Sequence, residues 1–481
     1  MKMAASCLAV AVNKPHISMT PSQLLFIIVL LVGTTNLSTA SSPLKHFSTK
    51  TPYAWITSSK TTELVDDEMY HLTDVEGLSC SAVHANAVIR HGSRFPGLDD
   101  VLEISNVHEK LVVAMEPDVN PELYNWVNNF PSNNNKALSS LGEEEQEALG
   151  SRLAKKLHTL FSDEDFSNFK FMVSSAERTK QSASAFFEGL STVVQGEEDD
   201  ADDFDVEVND ELLRFFDLCK KYVYSVGNNK TAMKEYTTFM NSHQVVKIKD
   251  KMSEKLGISK DILTTANVRL IYLICGYETA SFKSSPWCSL LDEEDMVILE
   301  YLGDLKHYYK NGYGHDITWQ QSCPLLNEMF YVMDETIVEI ETTEDDEEMD
   351  GFIVGHFAFG HAETVGPLLS ALGLFNDSEP LLAGNFEQQE KRLFRTSEIL
   401  PFSSNVLFVL YECVPEEFGE DEEIDEADYY LRLFVNEVPV KIPGCEELSC
   451  PYKTVRGLYH SFVEECDFKK ICNSSHPKDE L

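Results

Sequence analysis

The sequence predicts an α/β fold, in which helices flank an open sheet and a mostly helical cap is inserted into the chain. Three short apolar runs typical of buried strands each lead into a polar turn, and helical patterns lie between these runs. A further apolar run, Val406 to Tyr411, is typical of a central strand that is buried on both faces. Residues 196–349 lack this alternation and carry helical patterns and acidic linkers, which predicts the cap.

The first strand ends with Ala87-Val88-Ile89 and leads into the stretch Arg90-His91-Gly92-Ser93-Arg94-Phe95-Pro96. Each arginine is a permanent cation whose planar fork of donors matches phosphate oxygens. Beside such cations a neutral imidazole is favoured over imidazolium, which keeps a ring nitrogen of His91 free to attack. Gly92 has no side chain, so an anion can approach the backbone N–H groups there. The stretch therefore predicts a phosphate pocket with a nucleophile, against the alternative of a basic surface loop.

A helix is expected after this loop, over residues 138–160. Ser140 and Glu143 have capping-box spacing near its start. One apolar face is formed by four leucines, Leu149, Leu153, Leu157 and Leu160.

The second predicted strand is Phe169 to Val173, and a helix is expected to follow it from Glu177 to Leu190. Arg178 then lies in the first helical turn, beside backbone N–H groups that favour anions. A cation at this end opposes the helix dipole, so its presence is easier to understand if a bound phosphate compensates it.

The third predicted strand is Phe352 to Phe359, and the helix after it runs from Glu363 to Leu372. His361 lies in the turn between them. His91, Arg178 and His361 therefore each follow a strand, at the carboxyl ends where open α/β sheets bind ligands. We expect these three residues to converge.

The stretch from Arg90 to Pro96 resembles the Arg-His-Gly-x-Arg-x-Pro signature of the histidine phosphatases, in the acid phosphatase and phytase branch. Ser174-Ser175-Ala176-Glu177-Arg178-Thr179 resembles the family segment that supplies a further phosphate-binding arginine. His361-Ala362-Glu363-Thr364 resembles the segment that carries the second catalytic histidine and the proton donor. A glutamate donor two places after that histidine is similar to the multiple inositol polyphosphate phosphatase group.

This resemblance runs from about Ala85 to the C-terminus, and it implies a histidine-phosphatase-like Rossmann-type sheet. It also implies hydrolysis of phosphomonoesters through a phosphohistidine, without a metal or other cofactor. The implied substrates are phytate and lower inositol polyphosphates, with 2,3-bisphosphoglycerate as a further candidate. The implied roles are nucleophile for His91, proton donor and then base for Glu363, and holders of the phosphate oxygens for Arg90, Arg94, Arg178 and His361.

One stretch departs from the family pattern. Many members carry a lysine shortly after the signature proline, whereas Gly97-Leu98-Asp99-Asp100 stands there in this chain. Aspartates facing the pocket would weaken affinity for the most highly phosphorylated substrates. Arg214 and Lys283 are weaker candidates for contacts to peripheral phosphates.

The net charge of −41 disfavours nucleic acid as a partner, because the phosphate backbone would be repelled. Acidic runs at 197–205, 344–350 and 416–428 are predicted to be solvated loops. Three alternatives to inositol polyphosphate hydrolysis stay open. A broad-specificity acid phosphatase would have the same nucleophile. An acidic calcium-binding lumenal protein, with an inactive catalytic site, would bind calcium through the acidic runs. A phosphomutase of the same superfamily is disfavoured by the long cap, the secretory signal and His-Ala-Glu.

Eleven cysteines are present, and Cys7 lies in a segment predicted to be removed. The other ten can form five disulfides in an oxidising compartment. Cys445 and Cys450 lack a second pair with zinc-site spacing, so we expect disulfides and no metal site. Spacing does not give the pairing, but Cys80 with Cys413 is one expectation, because both would flank core strands.

Both ends of the chain carry targeting signals. Residues 1–40 contain Lys14, the apolar run Leu24 to Val32 and then small residues, which predicts a signal peptide cleaved after Ala40. An uncleaved anchor is the alternative. Residues 478–481 are Lys-Asp-Glu-Leu, which predicts a signal recognised by a retention receptor. The expected location is the lumen of the endoplasmic reticulum, with no membrane span after cleavage, and partial secretion is left open.

The predicted domains follow from these boundaries. Residues 41–195 and 350–477 form a discontinuous α/β catalytic domain around the cap at 196–349. After the predicted signal peptide, three Asn-x-Ser/Thr acceptors for glycosylation fit a secretory route: Asn229, Asn376 and, close to the end, Asn473.

Overall fold

An eight-stranded mixed sheet lies at the centre of the part of the chain that the structure describes. This computed structural model describes residues 46–59, 70–130, 135–161, 166–195, 204–343, 353–415 and 428–473. The strands are β1 (Leu78–Arg90), β2 (Phe169–Val173), β3 (Glu207–Val208), β4 (Gly355–Gly360), β5 (Asn405–Pro415), β6 (Asp428–Val435), β7 (Val438–Val440) and β8 (Ser449–Pro451). Their order is β3-β2-β4-β1-β5-β6-β7, and β8 also pairs with β6. The predicted signal peptide, the C-terminal address and most of the acidic runs lie outside the described residues.

The part of the sheet that positions the site is parallel. β4 lies between β1 and β2 and is parallel to both, with Arg90 opposite Gly360 and Val173 opposite Phe359. Because the three strands end at nearly the same level, the residues that follow them meet at one edge of the sheet. Those residues are His91, Ser174 and His361.

The rest of the sheet is mostly antiparallel. β5 pairs in the opposite direction with both β1 and β6. The predicted central strand Val406 to Tyr411 lies within β5 and is buried throughout, and the predicted strand Phe169 to Val173 is confirmed as β2. The strand before His361 begins at Gly355, later than predicted, and the helix after it begins one residue earlier, at Ala362.

Eighteen α-helices occur in the described residues. The first nine are α1 (Tyr53–Ser59), α2 (Leu98–Ala114), α3 (Pro121–Tyr124), α4 (Ser140–Lys156), α5 (Glu177–Val194), α6 (Asp210–Leu213), α7 (Phe215–Leu218), α8 (Lys220–Tyr222) and α9 (Lys234–Met240). The others are α10 (His243–Lys255), α11 (Thr265–Phe282), α12 (Glu293–Asn311), α13 (Asp316–Gln320), α14 (Cys323–Thr342), α15 (Ala362–Ala371), α16 (Thr396–Ile399), α17 (Tyr452–Glu464) and α18 (Phe468–Cys472). None of the described helices is both long enough and apolar enough to cross a membrane.

Helices cover both faces of the sheet. On one face, alternate residues of β1 such as Ala85 and Ala87 join a core cluster that also contains buried side chains of α4 and α5. Asn86 lies between these two residues and points to the other face, where its Nδ2 donates to the carbonyl of Met329 in α14. The sheet is therefore an internal layer, and its carboxyl-terminal edge is the part available to a ligand.

In its described part, the chain between β3 and β4 contains helices joined by loops, from α6 to α14, and no strand. All described residues belong to one compact unit that runs from Lys45 to Leu481. That the α/β part and the helical cap are separate domains stays a prediction.

Five disulfides link ten cysteines, as predicted: Cys80–Cys413, Cys219–Cys472, Cys275–Cys288, Cys323–Cys466 and Cys445–Cys450. The expected Cys80–Cys413 bond joins residues that are direct register partners on β1 and β5. Cys472 at the end of α18 is bonded to Cys219, between α7 and α8, and Cys466, two residues before α18 begins, is bonded to Cys323, the first residue of α14.

The loop after β1 packs directly on the first turn of α4. A Cβ atom on Gly92 would lie 2.2 Å from the carbonyl oxygen of Gly142, and a Cβ on Gly142 would lie 2.1 Å from that of Ser93. Only glycines allow this approach, because any side chain would overlap the facing backbone. The two glycines therefore set the position of the loop against the helix.

The capping box predicted from Ser140 and Glu143 is wrong by one residue. The N-cap is Ser139, whose Oγ accepts a hydrogen bond from the backbone N–H of Gly142. The same hydroxyl donates to the carbonyl of Ser93. Ser139 is the N-cap in place of Ser140 because its hydroxyl makes both hydrogen bonds, one to the helix and one to the loop after β1.

Candidate active site

One cavity of about 260 Å³ lies at the carboxyl-terminal edge of the parallel strands. Five of the six residues predicted for the site line it: Arg90, His91, Arg94, Arg178 and Glu363. The sixth, His361, is in contact with this group, since its ring centroid lies 5.6 Å from that of His91. The expected convergence of His91, Arg178 and His361 is therefore what the structure shows.

His91 is buried and oriented by its own loop. Its Nδ1 donates to the carbonyl of Gly92 at 2.9 Å, so the neutral ring carries its proton there and leaves Nε2 unprotonated. Burial and then the positive charges of Arg178 and Arg90 hold the pKa of His91 well below its usual range. The ring is therefore a neutral base with one nitrogen available as a nucleophile.

His361 has hydrogen-bond partners at both ring nitrogens. Its Nδ1 accepts from Nη2 of Arg178 at 3.0 Å, and Nε2 lies 3.0 Å from Oγ of Ser174. Because Nδ1 accepts, Nε2 carries the proton and donates to Ser174, whose hydroxyl lies 2.9 Å from Oγ1 of Thr179. Burial and then Arg178 lower the pKa of His361 to about 3. In this arrangement His361 is neutral and positions Arg178.

Three arginines surround the nucleophile, and each is only partly satisfied. Nη1 of Arg90 donates to the carbonyls of Thr49 and Leu400, and Nη1 of Arg94 donates to the carbonyl of Phe95. The Nε atoms of Arg90, Arg94 and Arg178 are buried and have no hydrogen-bond partner among the described residues. Unpaired buried donors are costly, and all three arginines that carry them line one cavity, which indicates a site for an anion.

Glu363 lies in the first turn of α15, whose N-cap is His361. Its side chain is exposed and lines the cavity. Burial on its own would raise the pKa of this carboxyl, but His361, His307, its own backbone N–H and Arg90 lower it to about 2. Glu363 is therefore ionised while the cavity holds no anion, and it balances part of the arginine charge.

Several residues of the cavity were not predicted from the sequence. Four further cations line it: Lys50, Lys136, Arg269 and Lys306. Burial, followed by Arg269 and Lys310, lowers the pKa of Lys306 to about 8. One signal was available, because Leu299, Leu302, Gly303 and Lys306 follow the i, i+3, i+4, i+7 spacing of a single helix face. A lysine at the end of such an apolar face indicates a polar environment inside the fold.

The charge of the cavity is opposite to that of the whole chain. Its described lining contains seven lysines and arginines but only two acidic residues, Asp100 and Glu363. The chain as a whole has a net charge of −41. The acidic composition therefore does not extend into the cavity, which is suited to a ligand with several negative charges.

Other candidates from the sequence lie elsewhere. Arg214 is hydrogen-bonded to Ser175 and Asp217, and Lys283 is the left-handed C-cap of α11; neither lines the cavity. Asp100 does line it, whereas Asp99 does not. Among the described residues, no three or more His, Cys, Asp or Glu side chains are grouped so as to hold a metal ion.

Comparison with known proteins gives a consistent result. The family profile described as the histidine phosphatase superfamily, branch 2, matches residues 83–436. The chain is 33% identical over 397 residues to multiple inositol polyphosphate phosphatase 1 of Gallus gallus, covering 82% of this chain and 85% of that protein. It is 29% identical over 465 residues to the Homo sapiens protein of the same name, covering 92% of each.

Solved structures share the fold. The multiple inositol polyphosphate phosphatase of Bifidobacterium longum, in complex with inositol hexasulfate, has a TM-score of 0.66 at 15% identity and covers 88% of this chain and 98% of its own. The phytase from D. castellii has a TM-score of 0.63 at 18% identity and covers 82% of this chain and 83% of its own. The predicted fold class is confirmed.

The neutral state of His361 predicts a stability that falls in acid. The unfolded chain protonates this histidine near pH 6.5, whereas the folded protein does so only near 3. Between these values the unfolded state binds more protons, so the free energy of unfolding decreases by about 1.4 kcal/mol per pH unit as the pH falls. His361→Gln removes this contribution, and the slope between pH 6 and about 4 becomes shallower by that amount.

Urea unfolding at several pH values measures the slopes. His460→Gln, at an exposed position, controls for the loss of an imidazole, and the buried His84 and His356 contribute equally in all three proteins. If the free energy of unfolding depends on pH equally in the wild type and in His361→Gln, then His361 is not neutral in the folded protein.

Proposed function

The chain belongs to branch 2 of the histidine phosphatase superfamily, and from this we propose that it hydrolyses phosphomonoesters of inositol polyphosphates, phytate included, through a phosphohistidine on His91. The names of the relatives support this substrate class. The observation that carries the proposal is the set of three buried, unpaired arginine Nε atoms around a neutral histidine and a carboxylate.

His91 is the proposed nucleophile. Its unprotonated Nε2 attacks phosphorus, an N–P bond forms, and the bond between phosphorus and the inositol oxygen breaks. Water then attacks the phosphohistidine and releases inorganic phosphate, which restores the neutral ring. The bond from Nδ1 to the carbonyl of Gly92 supports this role, because it fixes the tautomer that the attack requires.

Arg90, Arg94 and Arg178 are the proposed holders of the transferred phosphate. Their side chains line a cavity in which charge spreads over the phosphate oxygens during transfer. A bound phosphate would draw Arg178 away from Nδ1 of His361. It would also raise the pKa of that ring, so that His361 could then donate to a phosphate oxygen as well.

Glu363 is the proposed general acid and base. In the empty cavity it is ionised, because His361, His307, its own backbone N–H and the charge of Arg90 together outweigh burial and bring its pKa to about 2. A phosphate dianion cancels the charges of the arginines and raises that pKa, so the bound complex can hold the proton that the leaving alkoxide needs. After the alkoxide departs, the carboxylate takes a proton from the attacking water.

The cations away from His91 support a polyphosphorylated substrate over a simple monoester. Lys50, Lys136, Arg269 and Lys306 line the same cavity in addition to the three arginines. A single phosphate would leave these charges unpaired, whereas a substrate with several phosphates would engage them. This favours inositol polyphosphates over the broad acid phosphatase alternative.

The endoplasmic reticulum is the proposed location, reached by cleavage after residue 40 and kept by a receptor for residues 478–481. Support comes from the five disulfides, which are typical of an oxidising compartment, and from the exposed acceptor Asn376 and the half-buried Asn229.

Deleting residues 478–481 is expected to move the protein from the endoplasmic reticulum to the medium, because the receptor no longer recognises the chain. Immunofluorescence and assays of the medium measure this, with Asn376→Gln and Asn229→Gln reporting on glycan addition. Equal retention with and without the four residues would overturn the proposed location.

Phosphate release from phytate is the direct test of the function. The wild type is expected to release phosphate in excess chelator, and His91→Ala to lose at least about a thousand-fold in rate, as nucleophile deletions do. Glu363→Gln should slow phytate hydrolysis by about 10²–10⁴. It should slow the first-turnover release of the phenol from an aryl phosphate much less, because an aryl leaving group hardly needs a proton.

Two results would contradict this account. Full activity of His91→Ala would exclude the phosphohistidine. Release from the aryl phosphate but none from phytate would leave a phosphatase and exclude the proposed substrate class.

Asp100 is expected to limit the preference for fully phosphorylated substrates. Its carboxylate repels a phosphate placed beside it and can accept a hydrogen bond from a free hydroxyl. Asp100→Asn should therefore raise kcat/KM for phytate relative to a lower inositol phosphate by about 3–10-fold, which corresponds to roughly 1 kcal/mol for a partly exposed charge.

Asp99→Asn is the matched control, since it makes the same charge change at the neighbouring position, outside the cavity. Steady-state rates on both substrates measure the ratio. An equal ratio for the two variants would mean that Asp100 does not discriminate.

A further inference from the structure

A second hollow lies beside the catalytic cavity. It has a volume of about 760 Å³ and is lined by residues between Gly227 and Thr238 together with Lys306 and Lys310 of α12. We call it the lysine groove. Tyr236 and Lys306 line both the groove and the catalytic cavity, so the two spaces share a wall.

All the charged residues that line the lysine groove are positively charged. Four lysines line it, Lys230, Lys234, Lys306 and Lys310, and no aspartate or glutamate does. None of these lysines forms a salt bridge with a carboxylate among the described residues. Glu235, the acidic residue between two of them in sequence, accepts from the backbone N–H of Ala383 instead. In a chain with a net charge of −41, four lysines without an acidic residue among them point to an anionic ligand.

The boundary with the catalytic cavity is also basic. Tyr236 is hydrogen-bonded to Arg269, which lines the catalytic cavity. Lys306 lies close enough to Lys310 and Arg269 for both to affect its ionisation. An anion could therefore pass from the groove to the cavity along an unbroken series of positive charges.

We propose that the lysine groove is a second polyanion site, which holds an inositol polyphosphate next to the catalytic cavity and supplies it to His91. The proposal rests on the proposed function for the identity of the ligand. The volume lies in the range of small-molecule sites, and the lysines supply point charges that bind phosphates without demanding a single orientation. Loose binding of this kind suits capture followed by transfer.

The variant that tests the groove is Lys230→Gln/Lys234→Gln/Lys310→Gln, which leaves Lys306 in place because it also lines the catalytic cavity. The matched control is Lys110→Gln/Lys155→Gln/Lys453→Gln, at exposed positions that line neither space. Both triple variants remove the same net charge. Because Asn229 lines the groove and is a predicted glycan acceptor, deglycosylated protein is used.

Kinetics give the first readout. The groove variant should lose about ten-fold in kcat/KM for phytate at low salt, with kcat unchanged, and its remaining rate should depend less on salt. The control should change less than about two-fold, and neither should change on an aryl phosphate, which carries a single phosphate group. Equal behaviour of the two triple variants on phytate would overturn the proposal.

Binding gives a readout that does not depend on turnover. Titration calorimetry of His91→Ala with inositol hexasulfate should detect two equivalents, and the groove substitutions added to His91→Ala should remove the weaker one. One equivalent in both proteins would overturn the groove site. If phytate is not hydrolysed at all, the proposed function fails, and the number of bound equivalents still decides whether the groove binds polyanions.

Discussion

The buried carboxylate of Glu145 holds the loop that carries the nucleophile. It accepts hydrogen bonds from the backbone N–H and the hydroxyl of Ser93 and from the backbone N–H of Tyr53. The next residue, Gln146, donates to the carbonyl of Arg90. A buried carboxylate without such donors is strongly destabilising, so the loop, α4 and the N-terminal segment form one cooperative unit. His91 lies between two anchored residues, and its direction follows from theirs.

This anchoring is needed because the cavity concentrates like charges. Burial, followed by the charge of Arg94, lowers the pKa of Arg90 to about 9 and that of Arg178 to about 10. A lowered pKa for a cation means that the fold bears a cost in keeping it charged. The aromatic core and the disulfides supply stability elsewhere, and an anion that binds the arginines stabilises the folded state by mass action.

The sequence predicted the elements that are encoded locally. The positions of His91, Arg178 and His361 after three strands follow from short apolar runs, and the parallel pairing of those strands brings them together. The helix-face spacing of Lys306 indicates a polar environment but not which one, and Lys50 has no such spacing. Both reach the cavity from segments far away in sequence, and only packing brings them there. The choice of Ser139 over its neighbour as helix cap likewise depended on a tertiary contact, the hydrogen bond to Ser93.

Electrostatic range explains how an acidic chain can hold a basic site. Exposed charges are largely screened beyond about 10 Å at 0.1 M salt, so a polyanion near the cavity responds mainly to the cations that line it. Because only nearby charges matter, the protonation state of Glu363 depends on whether the cavity holds an anion. In the empty cavity it is the counter-charge of the arginines and stays ionised. A phosphate that enters takes over as counter-charge, and the carboxyl can then be protonated, because the charges that kept it ionised are now neutralised. In the proposed mechanism, substrate binding therefore produces the acid that the first chemical step consumes.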